Sequence, residues 1–204
     1  MSIFRFSNAG GFGTYQRYND FLAGNPTTPV YVDNGAMFPL GEFTLAAAQA
    51  NVEFTNIPST YTHLQIRGII RGTNGSTGAD SALITFNSDT ASNYAIHRLQ
   101  GNGASVTADA FTGIADVSVA SLPRSGNTSN SFGAFVIDIL DYKNTNKFKT
   151  MRALNGWDAN GSGSVWFQSG LWRSTSAITT VRMAAGGSGN TFAANSQFAL
   201  YGVL

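Results

Sequence analysis

From about residue 42 onward the chain is a series of short runs in which apolar and polar residues alternate, separated by clusters of Gly, Asn, Ser and Thr. Alternation with a period of two places one set of side chains on one face of an extended strand, which fits a half-buried β-strand and not a helix. The runs are Leu64–Ile70, Ala82–Phe86, Tyr94–Leu99, Phe132–Leu140, Lys147–Leu154, Val165–Leu171, Ile178–Met183 and Gln197–Val203. In Phe132–Leu140, Phe135, Ile137 and Ile139 share one face while Ala134, Val136 and Leu140 share the other. The punctuation includes Gly72-Thr73-Asn74-Gly75, Gly101-Asn102-Gly103, Asn160-Gly161-Ser162-Gly163 and Gly186-Gly187-Ser188-Gly189-Asn190, all turn chemistry. The pattern predicts nine or ten strands and no second helical stretch, hence a sandwich or barrel. Long irregular spacers favour Greek-key connections over tight hairpins. The expected fold is therefore an all-β antiparallel jelly-roll β-sandwich over residues 41–204. No internal repeat of propeller or solenoid length is present.

Residues 1–40 differ. They read as an extended arm carrying one short helix over residues 14–23, capped by Thr14, with Tyr15, Tyr18 and Leu22 on one face. Gly24 and Asn25-Pro26 end it. So short a helix is marginal in water by itself, so its apolar stripe needs a surface, either the chain's own domain or another subunit.

Composition bears on function through what it leaves out. Charged residues make up 11% of the 204, against roughly 25% in ordinary soluble domains. The net charge of +1 gives no electrostatic footprint for nucleic acid or an acidic membrane. A surface this poor in charge promotes association, which suits a protein seated against copies of itself or a partner. The absence of cysteine excludes disulfides, thiolate metal sites and thiol catalysis. Residues 1–6 lack the apolar core of a signal peptide, and no run reaches 18 apolar residues, so the sequence is expected to be made in a cytoplasm.

The chemistry-bearing residues point the same way. His63 and His97 both lie in strands, where a histidine is expected to be a cross-strand neighbour rather than a base. Asp138 and Asp141 are three apart on one strand and so face opposite ways, which defeats them as a local acid pair. Asp138 among apolar neighbours calls for an arginine partner, with Arg67, Arg98 and Arg152 as candidates. Asp158-Ala159-Asn160-Gly161-Ser162-Gly163 matches the first half of a calcium loop, but position 12 is Ser169 instead of an acid, and Asn-Gly is also a turn. Trp157, Trp166 and Trp172 are either core or a stacking platform for sugars. No catalytic residue, metal site or cofactor is expected.

Four segments carry a family resemblance: Phe86–Tyr94, Phe132–Tyr142, Gly170–Thr179 and Phe198–Gly202. In this order they resemble a β-sandwich module of tailed-bacteriophage virion proteins, in particular cyanophage-like capsid cement (head decoration) proteins. The opening Phe4–Gly11 through Tyr18 is similar to leader segments of the same group. The resemblance implies a non-enzymatic homotrimer on the capsid surface of a virion, clamping neighbouring major capsid proteins, with no nucleic-acid or membrane partner. The arm residues expected to touch the capsid are Phe4, Arg5, Phe6, Tyr15, Arg17, Tyr18 and Leu22. The alternative is a tail or fibre module binding host-surface glycan.

Overall fold

A computed structural model describes residues 36–204. The expected helix at 14–23 and the seven arm residues lie outside the described part. Twelve strands follow one another: β1 (Met37–Thr44), β2 (Asn51–Phe54), β3 (His63–Ile70), β4 (Ala79–Phe86), β5 (Tyr94–Gly101), β6 (Val106–Ile114), β7 (Val117–Pro123), β8 (Gly133–Leu140), β9 (Lys149–Asp158), β10 (Gly163–Trp172), β11 (Val181–Ala185) and β12 (Gln197–Val203). There is no helix among the described residues. β1 straddles the boundary expected at residue 40, so the sheet begins slightly earlier than the alternation suggests.

The strands form two antiparallel sheets. The larger has the order β1-β12-β3-β8-β9-β10-β5-β6, and the smaller β2-β11-β4-β7. The pairs β1/β12, β2/β11, β3/β8 and β4/β7 are the rungs of one long ribbon whose successive rungs alternate between the sheets. Two hairpins, β5–β6 and β9–β10, interrupt the ribbon and extend the larger sheet beyond β8. The inward residues of β3, β8 and β9 (Leu64, Ile66, Ile137, Ile139, Met151) form one buried cluster with Ile84, Phe86, Val119, Leu122, Val181 and Met183 of the smaller sheet. At ~25 cal/mol per Å² of apolar area removed from water, this cluster is the main driving force for folding.

Four strands are absent from the alternating runs of the sequence: β1, β2, β6 and β7. Each has a local reason. β1 contains Pro39 and Gly41, and β2 is four residues long. β6 is exposed along nearly its whole length, whereas β7 is buried along nearly its whole length, so neither has the one-sided burial that produces alternation. The expectation against tight hairpins also needs correction. Between β9 and β10, Ala159 N–H donates to Ser162 O at 2.8 Å, and the central Asn160 and Gly161 have φ of 58° and 116°. That is a two-residue type I′ turn, which requires positive φ at both positions. Between β5 and β6, Gly103 has φ of 87° and the Asn102 side chain accepts from Ala104 N–H (3.0 Å) and Ser105 N–H (2.9 Å).

Candidate functional site

Three of the segments that carry the family resemblance, Phe86–Tyr94, Phe132–Tyr142 and Gly170–Thr179, are bonded to one another at one end of the sandwich, while Phe198–Gly202 lies in β12 beside β3. Asn87, in the left-handed region at φ 50°, accepts from Thr179 N–H (2.9 Å) and Thr180 N–H (3.1 Å) and donates to Ala177 O (2.8 Å). Asp89 accepts from Trp172 Nε1 (2.7 Å), Asn93 Nδ2 (2.9 Å) and Ala91 N–H (3.0 Å). Desolvation raises the Asp89 pKa, but these three donors outweigh it and hold the carboxyl below its ordinary value. Trp172 packs on Phe86 and stacks on Tyr94, with ring centroids 5.6 and 6.3 Å apart. Phe132–Tyr142 joins through Tyr142 O, which accepts from Ile178 N–H at 2.9 Å. Nearby, the fully buried Lys149 ammonium donates to the carbonyls of Asn144 (2.5 Å), Lys147 (3.1 Å) and Thr175 (3.1 Å). Burial lowers its pKa, and Asp141 works against that shift.

The chemistry-bearing candidates do not converge. Asp138 lies on the outer face of the larger sheet, accepting from Gln65 Nε2 (2.7 Å) and paired with Arg152 (3.2 Å), so of the three arginines considered, Arg152 is the partner. Asp141 caps the end of β8 with Lys147, and its backbone N–H donates to His63 Nδ1 at 2.9 Å. Asp158 sits six residues beyond Arg152 on β9, roughly 20 Å from Asp138 at ~3.3 Å per residue. Its Oδ1 accepts from Asn160 N–H (2.7 Å), so the half-match to a calcium loop is the hairpin turn described above. No group of three or more metal-ligating side chains occurs among the described residues.

The three tryptophans all sit on the inner face of the larger sheet. Trp172 is buried, Trp166 is buried beneath the Arg98 guanidinium (4.4 Å to the ring centroid), and Trp157 is half-buried with Nε1 on Ser164 Oγ (3.0 Å). Trp166 and Trp172 are six residues apart on one strand, so they form no shared shelf. A cavity of about 300 Å³ opens beside β1, β3 and β12, lined by Glu42, Phe43, Arg67, Ile69 and Phe135 among others. Its lining holds one acid and one arginine, with neither an acid pair nor a nucleophile beside a histidine.

The surface that the sequence reading missed is the outer face of β9, β10, β5 and β6. Cross-strand register puts Leu154, Phe167, Leu99 and Ala108 in one row, and Gly156, Val165, Gly101 and Val106 in the next. Val106 is 73% exposed, and Leu99, Leu154, Val165 and Phe167 are between 50% and 57% exposed. Five large apolar side chains in two adjacent rows make a contiguous patch of the kind that marks interaction sites. The next row, Arg152, Ser169, His97 and Ala110, is more polar and bounds it. A signal existed in the sequence: Val165-Trp166-Phe167 is apolar on both faces of one strand.

The inner side of the same strands carries internal polar pairs, although both side-chain polar atoms of the buried Gln168 have no hydrogen-bond partner. Arg98 is bidentate to Asp109 (3.1 and 2.6 Å). The buried Asn155 amide accepts from Ser121 N–H (2.9 Å) and donates to Val119 O (3.1 Å). It thereby takes the place of a neighbouring strand along the free edge of β7. No protein-family model matches this chain, and no curated protein matches it.

Proposed function

We propose that this chain is a non-enzymatic structural protein of a tailed-phage virion, a cement protein made in the host cytoplasm and held on the capsid surface, where it joins copies of itself and neighbouring major capsid proteins. The observation that carries the reading is the apolar outer face built from Leu99, Val106, Leu154, Val165 and Phe167 on a chain with so little charge. Such a face favours burial against another protein, and scarce charge removes the electrostatic cost of close mating. The jelly-roll topology is part of the same proposal. With the hairpins β5–β6 and β9–β10 set aside, eight strands remain, and their ribbon rolls into two four-stranded sheets whose strands alternate between its two arms, as in a pair of Greek keys.

In this reading the arm adds a second set of contacts through Phe4, Arg5, Phe6, Tyr15, Arg17, Tyr18 and Leu22, in a trimer as the resemblance implies. Two modest surfaces on one molecule, repeated by oligomerisation, raise avidity without any single strong contact. The test is binding of the full chain to capsids that lack it. Deleting residues 1–24 and, separately, the double substitution Leu99→Ser with Phe167→Ser should each reduce binding while the fold is retained. Undiminished binding in both would end the reading, as would mass spectrometry of purified virions that does not find the chain in the head.

A further inference from the structure

Among the described residues the two sheets end in four edge strands, and three of these are protected. β1 carries Pro39, which has no N–H to offer, and the charged Glu42. β2 is four residues long. β7 has its edge groups at Val119 and Ser121 taken by the Asn155 side chain. The fourth edge, β6, has none of these devices between Val106 and Thr112; its only irregularity is the bulge at Gly113 (φ 67°), at the far end from the hairpin. It runs nine residues, Val-Thr-Ala-Asp-Ala-Phe-Thr-Gly-Ile, without proline, lysine or arginine, and is exposed along nearly its whole length. Its single charge, Asp109, is paired with Arg98 of β5 at 2.6 Å, so it opposes an incoming strand only where a second carboxylate lies directly across from it. Long uncharged edges are templates for strand addition, and proteins that stay monomeric block them.

We propose that β6 pairs with β6 of a second copy of this chain across a two-fold axis, joining the two larger sheets into one. Antiparallel ladder geometry selects the residues. Asn102 N–H donates to Ser105 O at the hairpin, so Thr107, Asp109 and Phe111 turn their backbone groups toward β5. Val106, Ala108 and Ala110 turn theirs outward. A register centred on Ala108 sets Val106 against the second copy's Ala110 and Asp109 against the second copy's Thr107, with no like charges opposed. A register centred on Asp109 would face that carboxylate with itself, which is disfavoured. The second copy fits for a further reason. Five apolar side chains are few beside the roughly 20–30 residues a side of a standard interface. Side chains opposite one another in an antiparallel pair share a face, so pairing brings the two patches together into one surface twice the size. The inference needs the fold alone and not the virion reading, and it is compatible with a three-fold contact made elsewhere on the molecule.

Sedimentation equilibrium of the full chain tests it. The wild type should have a mass that is an even multiple of 21.6 kDa. Ala108→Pro removes an outward N–H without touching the β5 ladder, and Ala110→Lys places a charge on the exposed edge. Each should halve the mass or weaken the association at least tenfold, with an unchanged circular dichroism spectrum. Ala110→Lys alters only an exposed side chain, so it decides the matter if the proline variant is poorly folded. A wild type that is monomeric or trimeric at every concentration, or a mass unaffected by Ala110→Lys, overturns the edge pairing. Neither result touches capsid binding, which is read separately through Leu99 and Phe167.

Discussion

The end of the sandwich around Trp172 and the outer face around Phe167 lie on the same strand five residues apart, yet they follow opposite rules. At Trp172 the indole and the Asp89, Asn87 and Tyr94 side chains around it are bonded within the chain, and the rings are buried against one another. At Phe167 the side chain is more than half exposed, between Leu154 and Leu99, which are equally open. In the first region the polar side chains are bonded within the chain and the rings are packed on one another. The second has apolar area to bury and only other molecules to bury it against. The most distinctive residues of the sequence therefore hold the fold, while the least distinctive ones present the candidate interface.

That contrast breaks most directly at Trp172. Trp172→Ala should cost ~3–5 kcal/mol in denaturant unfolding, since it empties the ring cluster and strips a donor from Asp89. Phe167→Ser should change stability by less than about 1 kcal/mol while lowering partner binding. Equal stability losses at the two sites would erase the distinction. Asn155→Ala should cost ~2–3 kcal/mol, because it leaves Ser121 N–H and Val119 O unpaired inside the protein. The same change would also unprotect the β7 edge, so aggregation on concentration is the companion readout.

The pH response belongs to the Trp172 end. Burial pushes the Tyr94 phenol up to about 12, with Asp89 and Asp116 adding to the rise and the hydrogen bond with Phe86 opposing it. The raised folded pKa means that the contribution of Tyr94 is complete below its unfolded value of 10.0 and is lost as pH rises from there through about 12. Asp89 has the opposite sign. Its lowered folded pKa contributes stability above the ordinary 3.8 that is lost as pH falls through the folded value. Chemical denaturation across both ranges checks the pair: Tyr94→Phe should flatten the alkaline limb and Trp172→Phe the acid limb. The smallest effect expected is at Gly161, where φ of 116° disfavours any Cβ although the space is open, so Gly161→Ala should cost about 1 kcal/mol and leave association unchanged.

Much of the fold was legible because half-buried strands leave an alternating trace. Phe135, Ile137 and Ile139 share one face of β8 as the alternation requires, and that face is the buried one, as is the face of β12 that carries Phe198 and Leu200. Asp138 has the expected arginine partner in Arg152, although it lies on the partly exposed outer face of β8 and not buried among apolar side chains. What could not be read was the exposure of a second apolar set. Leu154, Phe167 and Leu99 alternate as regularly as the core does, and alternation states that two faces exist without stating which one the second sheet covers.

The sequence by itself determined that the described residues are all-β, where most of their strands lie, and which turns need glycine or asparagine, because these depend on neighbours within a few residues. Only the tertiary structure decided that the hairpins β5–β6 and β9–β10 join the larger sheet beyond β8 and leave β6 as its last strand. No strand of the larger sheet lies beyond β6, and Phe167 projects from the face of β10 opposite the buried Trp166 and Trp172. Exposure of a side chain is set by strands distant in sequence, and no local pattern carries that information.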